Sequence, residues 1–268
     1  MRDYIRCRII GGGDYIRVND YPVRPISKKR GARKNPTSDT QQKLNAENSA
    51  HRLIDLLHWN FCPDDISVDF TYKNEFMPKT VADAQRIMYN AMRRLKRIWS
   101  KKTALDSKKF KYVVVTEVSS TGRIHHHCVI SGGLSMHDIS DKWGFGYTKT
   151  RALEFSESGL IGLGKYITKS RTSYRRWQAS KNLENPPMLE RDNKVRKKDI
   201  KHMAKNPEDY AYLEKIHDGY KVCPGTLKVI SVDDYGDSCF LSYSMYKIDN
   251  TSFGYDKLGR LYQKRKKE

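Results

Sequence analysis

With 268 residues the chain can bury a proper hydrophobic core, as one large domain or two small ones. Its 51 Lys and Arg against 31 Asp and Glu leave a net charge of +20, a field that attracts polyanions, nucleic acid foremost. The cations are too widely spread for a single membrane-surface helix, and no run of about 18 apolar residues could span a bilayer.

The first residues carry Arg2, Asp3, Arg6 and Arg8, unlike a signal peptide. Five scattered cysteines (Cys7, Cys62, Cys128, Cys223, Cys239) with no C-x-x-C read as reduced thiols of a cytoplasmic protein, in a bacterial host, and not as a disulfide frame or a zinc finger.

Alternation predicts an N-terminal hairpin, strands 4–10 and 15–18 around Gly11-Gly12-Gly13. A basic connector follows over 22–36, with Arg24, Lys28, Lys29, Arg30, Arg33 and Lys34, a solvated linker able to lie along phosphates. Ser38 and Gln41 form a capping box for a helix to about 58, with Ala46, Ala50, Leu53 and Leu57 on one face.

The next elements are a strand at 66–72, a helix at 80–100, strands at 112–118 and 123–130, a short helix at 136–143, a strand at 146–154 and a helix at 157–169. The order β-α-β-β-α-β-α predicts an α+β fold: a ferredoxin-like, split βαβ antiparallel sheet with helices on one face and an active site on the open face.

Beyond 170 the chain is basic and irregular, with Arg171, Arg175, Arg176 and Lys181 ahead of Pro186-Pro187. A helical stretch near 197–216 then precedes strands at 226–232 and 238–248 about a turn at 233–237, and the tail 264–268 is expected to be disordered. Three parts are expected: 1–60 with hairpin, linker and helix, 61–182 as the catalytic core, and 183–268 as a basic extension carrying a β-hairpin.

Three consecutive histidines, His125, His126 and His127, lie inside a predicted strand. Successive side chains of a strand alternate, so His125 and His127 share one face and His126 takes the other. Two imidazoles on neighbouring pleats can reach one ion, although imidazole suits zinc as well as other metals and the triplet alone does not name one.

Hairpin geometry suggests a third ligand. A three-residue loop, Ser120-Thr121-Gly122 with Gly in the left-handed position, would set Glu117 opposite His125 on the same face. A change of one residue in loop length would turn Glu117 to the other side.

Downstream, Tyr166 and Lys169 are three residues apart on a predicted helix and share its face. A tyrosine with a pKa of about 10 is a poor nucleophile unless its target is activated, which a divalent metal on a phosphate would do, with a lysine to neutralise developing charge. Arg123, Lys165, Arg171, Arg175 and Arg176 flank these motifs as candidate DNA contacts. The stretch from Gly159 to Lys165 fits the start of a phosphate-binding P-loop, but Tyr166 stands where Ser or Thr should hold magnesium, and no ATP site is expected.

These motifs resemble those of the rolling-circle replication initiators of plasmids and phages, in the His-hydrophobe-His endonuclease superfamily. The histidine motif corresponds to residues 124–130, the tyrosine motif to Tyr166-Ile167-Thr168-Lys169, and a less specific strand motif to Phe70-Thr71-Tyr72; the resemblance covers about 66–169, and less specifically 41–61.

It implies metal-assisted nicking, with Mn2+ or Mg2+, of single-stranded origin DNA and flanking duplex, leaving a 5′-phosphotyrosine and a free 3′-hydroxyl. A separate helicase and DNA polymerase would be partners, and a homo-oligomer is compatible with the sequence. His126 stands where the family carries a hydrophobic residue, which leaves another pairing of the histidines open. The residue four after Tyr166 is Ser170, so this is a single-tyrosine type, and how the second strand transfer ends is open between water, another subunit and a residue such as Tyr174. The competing readings are a non-catalytic origin-binding protein and a related relaxase or transposase.

Overall fold

The structure is a computed structural model that describes residues 4–23, 39–156, 158–167, 177–231, 239–247, 253–255 and 261–263. The expected basic connector between Arg24 and Lys34, the capping hydroxyl of Ser38, the turn at 233–237 and the tail 264–268 lie outside the described residues.

In chain order the strands of the two larger sheets are β1 (Tyr4–Gly12), β2 (Tyr15–Val23), β3 (Ile66–Thr71), β4 (Tyr112–Val118), β5 (Ile124–Ile130), β6 (Thr148–Ala152), β7 (Trp177–Ala179), β8 (Met188–Asp192), β9 (Lys221–Val222), β10 (Lys228–Ser231) and β11 (Cys239–Tyr246). The helices are α1 (Asp39–Asn60), α2 (Val81–Thr103), α3 (Met136–Trp143), α4 (Ile161–Ile167), α5 (Lys197–Lys205) and α6 (Tyr210–Ile216). Two compact units result: Met1–Trp59 with Ser156–Gly159 and Asn185–Glu268, and Asn60–Phe155 with Leu160–Glu184.

The second of these units is built on the sheet β6-β3-β5-β4-β7, antiparallel throughout. Strands β3 and β4 both pair with β5 between them and are joined through α2, which is the split βαβ arrangement. The fold is α+β, as expected.

Alternation along each strand sends Val68, Phe70, Val114, Cys128 and Ile130 into one core with Met88, Leu95, Ile139 and Trp143 of α2 and α3. The opposite pleats carry Asp69, Glu117, His125 and His127, away from that core. Both helices have strong starts: Thr80 accepts from the Asp83 N–H, and Ser135 with Asp138 forms a full capping box.

The other unit is organised around the sheet β10-β11-β2-β1-β8, with β9 also on β11. The N-terminal hairpin and the C-terminal strands are thus one sheet, with Leu241 of β11 opposite Asp20 of β2 and Arg6 of β1 opposite Asp192 of β8. Ile5, Cys7, Val18, Leu241, Tyr243 and Met245 bury their side chains with Ile200, Met203 and Leu213 of α5 and α6. Within α1, Leu53 and Leu57 are fully buried, while Ala46 and Ala50 on the same face are half-buried. Among the described residues no disulfide joins the cysteines, and no helix is long and apolar enough to cross a membrane.

Three expectations are corrected. The helix expected over 157–169 begins at Ile161, because Gly159 takes a positive φ and closes a turn with Ser156 first. The helical stretch 197–216 is two helices, since Pro207 lacks an N–H and drives Asn206 out of the helical region (φ −129, ψ 68). Strands β7, β8 and β9 were not expected: they are 3, 5 and 2 residues long, too short for alternation to register, and every residue of β8 is exposed.

His217 in this unit is buried between Lys194 and Tyr243, with Nε2 2.9 Å from the Tyr243 hydroxyl. Burial, aided by the charges of Lys194 and Arg191, pushes its pKa down to about 3. The unfolded chain would take a proton near pH 6.5 that the folded one refuses, so this contribution to stability is present above that pH and is lost as pH falls toward 3. Denaturant midpoints measured from pH 7 to 4.5 should therefore fall more steeply for the native protein than for His217→Gln; equal slopes would remove His217 from the acid response.

Candidate active site

Local sequence sets the hairpin that carries the histidines. The β-branched run Val113-Val114-Val115-Thr116 favours an extended chain. Gly122, at φ +77, makes the left-handed step that closes the loop, and the Ser119 N–H donates to the Arg123 carbonyl at 2.9 Å. This register pairs Glu117 with His125, Val115 with His127 and Thr116 with His126.

On the outer pleats three ligand atoms converge. Nε2 of His125 lies 3.2 Å, and Nε2 of His127 3.1 Å, from the same carboxylate oxygen of Glu117. One ligand atom from each of the three residues lies within 4.8 Å of the others, an arrangement that could hold a metal ion. The rings of His125 and His127 stand edge to face with centroids 4.9 Å apart. Two imidazole nitrogens and a carboxylate oxygen form a donor set suited to a divalent cation, and Glu117 and His125 are half-buried, so further positions face outward.

His127 is held from behind. Its Nδ1 is 2.7 Å from Asp69 Oδ1, and Arg151 pairs with the other oxygen of Asp69. Burial pushes Asp69 up, but the His127 hydrogen bond and the charges of His127 and Arg151 outweigh it and hold the carboxyl below its ordinary value. Burial likewise pushes His127 down, while Asp69 and Glu117 outweigh it and raise the imidazole above its usual range. With Nδ1–H anchored on Asp69, Nε2 is the atom turned to the cluster.

His126 goes the other way. It is fully buried, with Nε2 2.8 Å from the Tyr72 hydroxyl and Nδ1 3.0 Å from Thr116 Oγ1. Burial, with the flanking histidines adding, pushes it down to about 3, so it stays neutral, with one nitrogen to donate and one to accept. A polar side chain replaces the usual hydrophobic one here without orphaned atoms, because two hydroxyls meet it. Its nitrogens are not turned to the cluster, which answers the pairing question in favour of His125 and His127.

The nucleophile candidate, Tyr166, is on α4 and more than half exposed, with its ring centroid 5.3 Å from that of His127. Lys165 beside it is exposed. Arg123, at the head of β5, donates to the Tyr72 carbonyl at 2.7 Å and to Asn74, tying the hairpin to the chain after β3. Lys169, Arg171, Arg175 and Arg176, and also Ser170 and Tyr174, lie outside the described residues.

Sequence reasoning did not pick out Asp69 and Arg151. Asp69 is a charged residue between the apolar Val68 and Phe70, a signal that it faces out. Its role depends on pairing with His127 across the β3–β5 register.

Residues 66–171 match the model of a family described as replication-associated protein ORF2, a stretch that contains Asp69, Glu117, His125, His127, Arg151 and Tyr166. The match supports a replication initiator. No curated protein and no solved structure matches the chain.

Two substitutions separate the faces of β5. Asp69→Asn should weaken Mn2+ binding about 10–100-fold in calorimetric titration, the usual effect of losing the partner of a ligating histidine; unchanged affinity would detach Asp69 from the cluster. His126→Ala should instead cost about 2–5 kcal/mol of stability. A loss of Mn2+ affinity without that destabilisation would reassign His126 as a ligand.

Proposed function

We propose that the protein is a rolling-circle replication initiator, a metal-dependent enzyme that nicks single-stranded origin DNA through Tyr166. The carrying observation is the convergence of Glu117, His125 and His127 on the open sheet face, with the Tyr166 ring 5.3 Å from His127, all inside the stretch that matches the replication family.

On this reading His125, His127 and Glu117 hold a divalent cation, which when bound polarises the scissile phosphate and offsets its charge. Mn2+ fits the two nitrogen ligands better than Mg2+, which prefers oxygen. Tyr166 Oη attacks phosphorus in line, the P–O3′ bond breaks, and its electron pair leaves on the 3′ oxygen, which takes a proton to become the 3′-hydroxyl that primes synthesis. The other product is a 5′-phosphotyrosine, which conserves the phosphodiester energy for a later strand transfer.

Lys169 is assigned to neutralise charge at the phosphate, and Lys165, Arg171, Arg175 and Arg176 to hold the strand. Arg123 has a structural part as well, through its bonds to Tyr72 and Asn74. A separate helicase and polymerase would supply unwinding and synthesis. A purely DNA-binding role would not call for an exposed tyrosine against a ligand-bearing histidine, and this favours cleavage.

With Mn2+ and end-labelled single-stranded origin DNA, the native protein should shift label to protein size on a denaturing gel. Tyr166→Phe should bind DNA and give no adduct, and His125→Ala or Glu117→Gln should abolish metal-dependent cutting. An adduct that persists in Tyr166→Phe would overturn this assignment.

A further inference from the structure

Beside the cluster, α4 and the edge of the sheet formed by β3 and β6 enclose a pocket of about 340 Å3. Its lining includes Ser67, Asp69, Arg151, Leu153, Leu163 and Tyr166. The volume is near the lower end of ligand sites, roughly 300–1,000 Å3, the scale of one nucleotide and not of a run of them.

Leu153 and Leu163 supply apolar wall, Arg151 supplies donors, and the Ser67 hydroxyl and the carboxylates of Asp69 and Glu154 supply acceptors. Two carboxylates make this a poor place for a phosphate. A nucleobase, with apolar faces and both donors and acceptors on its edges, matches the lining.

Gly162 also lines the pocket, from within the seven-residue α4. Glycine weakens a helix relative to alanine. Here a Cβ would meet no atom within 4 Å, so no close backbone approach demands glycine. What the missing side chain leaves is room in the pocket.

We propose that this pocket binds the base of the nucleotide immediately 3′ of the nick, with Gly162 keeping it open. The assignment rests on the nicking reading of the same site. Tyr166 is part of the lining and would carry that nucleotide's 5′-phosphate, while the nucleotide on the other side departs with its 3′-hydroxyl. The pocket therefore sets base preference at the first position of the attached strand and holds that end beside Tyr166 until transfer.

The test uses the full-length protein and a single-stranded oligonucleotide selected on it from a random pool. In a Tyr166→Phe background, binding is followed by fluorescence anisotropy while each position in turn is made abasic. One position should lose about tenfold or more in affinity. Adding Gly162→Leu should cost a similar factor on the intact strand and make that abasic position silent, while Gly162→Ala should bind as before.

Binding of Gly162→Leu within about twofold of its parent, or two losses that multiply independently, would overturn the pocket. Sequencing the DNA attached to native Tyr166 in the presence of Mn2+ must place the coupled position first; any other position overturns the assignment. Adducts without coupling refute the pocket alone, and coupling without adducts refutes the nicking reading while leaving a base pocket.

Discussion

The period of two along a β-strand is the constraint on which this site depends. In β5 it turns His125 and His127 out and His126 in, and the three-residue loop after Ser119 carries the same alternation into β4, so that Glu117 arrives opposite His125. A slip of one residue would bury the pair and expose His126, and it would also turn Cys128 and Ile130 away from α2 and α3. The register of the metal-ligand candidates and the register of the hydrophobic core are therefore one quantity. Burial of the inner pleats is what makes the outer pleats precise.

The inner side of β5 is itself unusual for a core. His126 meets Tyr72 and Thr116, and the ring of Tyr72 packs against Trp143, whose indole N–H donates to the Thr71 carbonyl at 2.8 Å. Buried polar groups are costly unless satisfied, and here each has a partner. This network links the end of β3 to the middle of β5. It lies behind the strand pair that holds Asp69 against His127 on the outer face, where a carboxylate and an arginine fix the orientation of one imidazole. Rigid backing on one side and ordered hydrogen bonds on the other leave the cluster little freedom, as a site preorganised for a cation and a phosphate requires.

The unit built on β1, β2, β8, β10 and β11 has its own core and its own buried polar chain, from Lys194 through His217 and Tyr243 to Asp20. Among the described residues it contributes none to the metal-ligand cluster or the adjoining pocket. Its place in an initiator is a separate question from the chemistry, because a nick needs only the outer face of the β3–β6 sheet and α4.

Local pattern in the sequence determined a good deal. Alternation and helical spacing located β4, α2, α3 and the central strands. The loop length and Gly122 were enough to set Glu117 against His125, since a short hairpin transmits register without outside help. The class of chemistry was legible from His125, His127 and Tyr166 for the same reason, because these motifs are local.

Tertiary structure alone decided the rest. Asp69 meets His127 across 58 positions, and Arg151 meets Asp69 across 82. The N-terminal hairpin joins strands more than 220 residues away, as Tyr243 on Asp20 illustrates. Such pairings come from the packing of whole faces, and no window of sequence carries them. The inward turn of His126 became certain only once Tyr72 and Thr116 were seen to meet it, because a buried imidazole is stable only where partners exist.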